Sequence, residues 1–209
     1  LNLRKIILKI SEIHSYYSKL NTLDENDYKK LAELIKECVV FINHNKKSLP
    51  DIHYYNLEGA LVGPLLSIFS FNNHLNNNNN KLIISNINED IRLISYSFLE
   101  RINFIDDNTN VTEKGDFFIS RSSSYGVTVS YLPMLNNISD LLVGNYNFLR
   151  KRDNENNETH INRSMNIWGS GGAHKTYFRK IDEILENIFN QSIENQPQGV
   201  IDIGCGDGT

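Results

Sequence analysis

Cysteine is almost absent from the 209 residues: Cys38 and Cys205 are too few and too far apart for a disulfide framework. The expectation is a reducing, cytoplasmic setting. No apolar run approaches the roughly 20 residues that a membrane span needs, so no membrane partner is expected. Residues 1–20 alternate charge and apolarity instead of forming the apolar core of a secretory signal. Basic residues do not outnumber acidic ones: 21 Lys and Arg face 25 Asp and Glu, for a net charge of -4. That balance argues against nucleic acid as a partner, since backbone phosphates call for a basic face. Histidines 14, 44, 53, 74 and 160 are scattered without metal-ligand spacing, and no Ser/His/Asp arrangement is visible. Neither a metal site nor a catalytic residue is assigned.

What is present is helical periodicity. Leu3, Ile6, Ile7, Ile10, Ile13, Tyr16, Tyr17 and Leu20 recur at three and four, an amphipathic helix. Thr22 with Glu25 fits a capping box for a second helix that ends before Pro50. A third apolar stretch, 57–71, contains Pro64, which should kink or split it. The run Asn76–Asn80 reads as a surface loop. A helix from about Asn88 to Arg101 follows, with Asn88 as cap and Glu89 and Asp90 in its first turn. Ile102–Ile105 and Val111–Ile119, joined by a polar tip, then read as a two-stranded ribbon, and helix plus ribbon is the winged-helix pattern. Asp90 on the presumed recognition helix and Asp106 and Asp107 at the tip would repel phosphates, which favours a lid or dimerisation role over DNA binding. Pro133 suits the first turn of a helix.

Arg150–His160 is a charged, asparagine-rich stretch and the best boundary between domains. Beyond it, residues 165–178 hold the only tryptophan, Trp168, and three closely spaced glycines. A helix should follow with Tyr177, Phe178, Ile181, Ile184, Leu185, Ile188 and Phe189 on one face. The chain then runs through Val200, Ile201, Asp202 and Ile203 into Gly204-Cys205-Gly206-Asp207-Gly208. Two β-branched residues, a carboxylate and a third apolar residue read as a buried parallel strand, and the glycines as a turn able to approach a ligand closely. The glycine spacing departs from the dinucleotide fingerprint and from the P-loop.

This strand and turn resemble the first motif of class I S-adenosylmethionine-dependent methyltransferases. The stretches Tyr125–Met134 and Asn166–Phe178 extend the resemblance to methyltransferase regions of polyketide synthases and to small-molecule methyltransferases with a winged-helix front. The resemblance implies S-adenosylmethionine as cofactor, with Gly204, Cys205, Gly206 and Gly208 forming its turn and Asp202 ordering that turn or reaching the cofactor's amino group. It further implies that His174 and Tyr177 border the cofactor or substrate, although packing of Tyr177 and a local helix-start role for His174 fit the residues as well. Trp168 reads as a packing anchor. The implied acceptor is a small or carrier-bound acyl molecule, and the implied assembly a homodimer or a larger multidomain synthase.

The fold class expected is mainly α, with a winged-helix (α+β) domain followed by the first helix and strand of a truncated Rossmann-like α/β domain. The divisions are a helical region at 1–54, the winged-helix, lid or dimerisation domain at 55–149, a linker at 150–164 and the start of the cofactor domain at 165–209. A further expectation is that the chain is an N-terminal fragment, inactive alone. The alternative is a winged-helix interaction or regulatory module without catalysis.

Overall fold

A computed structural model describes residues 3–201 and residue 203, apart from the side chains at 172, 173, 175 and 176. Helix α1, Leu3–Tyr17, buries Ile6, Ile10, Ile13 and Tyr17, a stripe at the spacing the periodicity predicts. Helix α2, Glu25–His44, packs against it and buries Leu31, Leu34, Ile35, Cys38, Val39, Phe41 and Ile42. Its cap is Asp24, whose carboxylate accepts from the Asp27 N–H at 2.9 Å, and not the expected Thr22. Thr22 lies in a 3₁₀ turn and its hydroxyl donates to the Lys19 carbonyl at 2.9 Å. The carboxylate is the better cap here because its charge also suits the positive end of the helix dipole.

Helix α3, Asp51–Phe71, runs unbroken through Pro64, so neither the split nor an interruption occurs. The proline lacks the N–H that would serve the Ala60 carbonyl, and α1 supplies a donor in its place.

The asparagine run is not an irregular loop. Strands β1, Leu75–Asn78, and β2, Lys81–Ile84, pair antiparallel with Leu75 opposite Ile84 and Asn78 opposite Lys81. Asn79 and Asn80 make the two-residue turn between them at φ 49° and 66°. Positive φ at both central positions gives the hairpin turn whose twist matches the strands, and asparagine tolerates that region better than most residues. Leu82 and Ile84 point into the core while Lys81 and Ile83 face outward.

Helix α4, Glu89–Arg101, begins as expected: the Asn88 side chain accepts from the Asp90 and Ile91 N–H groups. The two-stranded ribbon expected over 102–119 does not form. Ile105 and Val111 make one isolated bridge, and Asn110 bridges to Lys81 beside the hairpin. From there the chain coils into α5, Glu113–Ile119, because the Thr112 hydroxyl accepts from the Gly115 N–H at 3.0 Å and starts a helix. Gly115 rests so close to the chain below that a Cβ on it would stand 1.8 Å from the Phe104 carbonyl oxygen. Phe118 stacks on Phe104 with ring centroids 5.2 Å apart.

A 3₁₀ turn over Ser122–Tyr125 leads into the short helices α6, Gly126–Ser130, α7, Leu132–Leu135, and α8, Ile138–Leu142. Pro133 sits in the first turn of α7, as expected. Helix α9, Arg163–Phe189, is capped by Asn162, which accepts from the Met165 N–H at 3.0 Å. It takes in the glycine-bearing residues 165–178, which the sequence reading had placed ahead of a helix. One buried cluster runs from Ile6 to Met165 and joins these elements apart from α8, which buries no residue. The result is mostly helical with a small two-stranded sheet, compatible with a winged-helix domain. Among the described residues no helix is long and apolar enough to cross a membrane.

Candidate functional site

Two ends of α9 face different surroundings. Its first two turns dock on α6 and on the turn before it, with Met165 and Gly169 buried. Gly169 crosses Gly126 so closely that a Cβ on Gly169 would lie 2.6 Å from the Val127 nitrogen. Around this crossing the Asn166 amide donates to the Ser130 hydroxyl at 3.0 Å, that hydroxyl donates to the Val127 carbonyl at 2.6 Å, and the Asn162 N–H donates to the Ser130 carbonyl at 2.9 Å. Trp168 meets Phe71 edge-on at 5.6 Å and packs against the core, the anchor role expected of it. Backbone contact of this kind fixes the direction of the helix, since neither partner has a side chain to yield.

The far half of α9 projects outward. His174 lies mid-helix and not at a helix start, and its Nδ1 is 3.4 Å from the Ser170 hydroxyl. Its ring meets Tyr177 and Phe178 edge-on at 6.1 and 6.0 Å. The core-aromatic reading of Tyr177 does not hold, for the residue is 68% exposed. Phe178, Ile181, Ile184 and Phe189 are exposed on the same half. The last turn is closed by Gln196, whose amide donates to the Phe189 and Gln191 carbonyls at 2.9 and 2.7 Å.

Of the residues expected to hold the cofactor, His174 and Tyr177 come together one turn apart, both exposed. Asp202, Gly204, Cys205, Gly206 and Gly208 lie outside the described residues. Val200, Ile201 and Ile203 are exposed and pair with no strand among the described residues. The sequence reading missed the Gly126–Gly169 crossing and the Asn166–Ser130 bond. The available signal was a glycine one residue after Trp168 inside an otherwise helical apolar pattern.

Titratable groups elsewhere serve the fold. Glu58, buried on α3, accepts from the Tyr54 hydroxyl at 2.9 Å and from the Lys114 ammonium at 3.0 Å, and Lys114 also donates to the Ile102 carbonyl at 2.8 Å. Burial and the Glu58 hydrogen bond push the Tyr54 hydroxyl up to about 12. Burial, opposed by the nearby Lys9 charge and aided by that of Glu37, carries the Cys38 thiol up to about 12, which keeps it an unreactive core group. Asp106 and Asp153 build matching loops. Each carboxylate accepts from the side-chain amide and the backbone N–H of the asparagine four residues on, Asn110 or Asn157. Those bonds hold both acids below the ordinary carboxylate range.

Comparison with known families covers much of this architecture. Residues 58–145, from within α3 to just past α8, match the AprA winged helix domain. Residues 158–209, spanning α9 and the glycine motif, match the AprA MT2-like domain, a methyltransferase family. No curated protein matches the chain. The two matches are consistent with a methyltransferase fragment that carries a winged helix on its N-terminal side.

Proposed function

We propose that the chain belongs to an S-adenosylmethionine-dependent methyltransferase, in which α9 delivers the chain to the cofactor turn and the winged-helix region holds α9 in place. The observation that carries this reading is that a single methyltransferase match, over 158–209, takes in both α9 and the turn Asp202–Gly208. Gly204, Gly206 and Gly208, with Cys205 between them, let the backbone approach the cofactor, and Asp202 orders the turn or meets the cofactor's amino group. His174 and Tyr177 fit a cofactor border by position and chemistry: an imidazole and an aromatic ring, exposed together on the helix that precedes the turn. When bound, the cofactor supplies a sulfonium methyl that an acceptor carbon or oxygen takes while the carbon–sulfur bond breaks and sulfur keeps the electron pair.

The part of this chain is to hold the geometry in which such an in-line transfer proceeds. A rigid α9 favours a scaffold role for the winged-helix region, because the Gly126–Gly169 crossing leaves no slack for a lid that swings about that contact. The acceptor in this reading is a small or carrier-bound acyl molecule, supported by the polyketide-type stretches Tyr125–Met134 and Asn166–Phe178. The setting is cytoplasmic, which a buried thiol at Cys38 suits, and the assembly is a homodimer or a larger synthase. The boundaries 1–54, 55–149, 150–164 and 165–209 belong to the same proposal. Titration of the protein, expressed from its complete coding sequence, with S-adenosylhomocysteine tests the reading; a folded protein that binds none overturns it.

A further inference from the structure

Helix α3 holds two glycines one turn apart, Gly59 and Gly63, each at a helix-interior position where glycine is less favourable than alanine. Nothing in the fold demands them. A Cβ built on either meets no atom within 4 Å, and neither has a positive φ. Both line a cavity of about 430 Å³ between α1, α3 and the 124–136 segment. Its floor and walls are Gly59, Ala60, Gly63, Pro64, Val129 and Leu132.

The rim is polar yet uncharged. Ser11, Ser124, Tyr125, Thr128 and Asn136 line the cavity, and no side chain among the five makes a hydrogen bond with the described residues. His14 adds an acceptor. Its Nε2 must carry the proton, because it is bonded to the Ala60 carbonyl at 2.7 Å, so in the neutral ring Nδ1 is left as a lone-pair acceptor. No Asp, Glu, Lys or Arg lines this space, in contrast to the cavities beside Lys19, beside Lys36 and beside Arg152. An apolar floor with a few convergent, unengaged polar groups is the usual make-up of a small-molecule site.

We infer that this cavity binds an uncharged, mainly apolar small molecule carrying a hydrogen-bond donor, with the two glycines keeping the floor open and the His14 and Tyr125 side chains meeting its polar group. The inference does not depend on the methyltransferase reading: among the described residues none of α9 lines the cavity, although Tyr125, Thr128 and Val129 belong to the segment on which α9 docks.

The test uses N-phenyl-1-naphthylamine, a neutral apolar fluorophore with one N–H, and its sulfonated relative 8-anilinonaphthalene-1-sulfonate. The neutral probe should saturate with one site and the anion should bind at least about tenfold more weakly, because the cavity offers no partner for its charge. Gly63→Leu projects a side chain into the space and should abolish the neutral probe's signal. Should Gly63→Leu fail to fold, the paired change Gly59→Ala with Gly63→Ala takes its place. It should raise the melting temperature, having removed two helix-interior glycines, while weakening the probe by about tenfold. Ile181→Ser on the exposed face of α9 should leave the signal unchanged. Equal binding of the two probes, a signal that survives the glycine changes, or one that is lost with Ile181→Ser would each overturn the inference.

Discussion

The Nε2–H of His14 in α1 donates to the carbonyl of Ala60 in α3 at 2.7 Å, and that carbonyl is the one Pro64 cannot serve. In a helix the N–H of residue 64 would bond to the carbonyl of residue 60, and proline has no N–H. A side chain from one helix thus completes the hydrogen-bond ladder of another. The same residue lies where α1 packs on α3 and also lines the cavity between them.

Loss of that donor should therefore destabilise the fold in a way that depends on what replaces it. His14→Leu leaves the Ala60 carbonyl without its partner and should cost about 1–3 kcal/mol, whereas His14→Gln offers an amide N–H and should cost less. Urea unfolding of the two variants beside the parent measures this. Equal stability of the parent and His14→Leu would contradict it.

The same residue carries a pH signature. Burial lowers the folded pKa of His14, partly opposed by its bond to Ala60, below the 6.5 of the unfolded chain. As pH falls through 6.5 the unfolded state takes up a proton that the folded state still refuses. The His14 contribution is thus complete above that pH and is lost as pH falls toward the lowered folded value. Unfolding free energy should drop less on acidification in His14→Gln than in the parent. An unchanged pH dependence would contradict the assignment.

Gly169→Ala should be costly although alanine is the better helix former. Its Cβ would stand 2.6 Å from the Val127 nitrogen and 2.8 Å from the Gly126 carbonyl carbon, both backbone atoms that cannot turn aside. A loss of about 1–3 kcal/mol is expected, the usual range for overpacking. Gly171→Ala, where nothing lies within 4 Å, is the control and should be neutral or stabilising. Hydrogen exchange should show faster opening of α9 in the first variant alone.

Thr109 sits at φ 65°, a region β-branched residues avoid, while the equivalent place in the matching loop is Asn156 at φ 67°. Thr109→Asn should relieve that strain and raise stability by about 0.5–1 kcal/mol, read as a higher melting temperature. A lower melting temperature would show that the threonine side chain contributes something its backbone does not reveal.

These loops explain which parts of the fold could be read in the sequence. The apolar spacing of α1, the Asn88 cap of α4 and the place of Pro133 each rest on local chemistry and were legible. The hairpin was not, because an unbroken asparagine run has no alternation to mark Asn76–Asn78 as strand or Asn79–Asn80 as turn. Among the described residues asparagine occupies six of the seven positive-φ positions outside glycine, including Asn73, Asn86 and Asn103, so its abundance shapes turns that read from sequence as mere bias. The ribbon at 102–119 failed for a tertiary reason: the Thr112 cap and the seat of Gly115 on Phe104 favour a helix, and neither shows in periodicity. Of the candidate site, Asp202–Gly208 stands out in the sequence as a motif but lies largely outside the described residues, and the outward position of His174 and Tyr177 depends on the Gly126–Gly169 crossing, a contact between residues 43 apart in sequence.

The motif Asp202–Gly208, which follows α9 in sequence, is proposed to bind the methyl donor. Isothermal titration of the protein, produced from its complete coding sequence, with S-adenosylhomocysteine tests it most directly, with Gly206→Val alongside. The account predicts saturable heat for the parent and its loss in Gly206→Val, with both proteins folded by circular dichroism. Absence of heat from the folded parent, or equal binding by Gly206→Val, would contradict it.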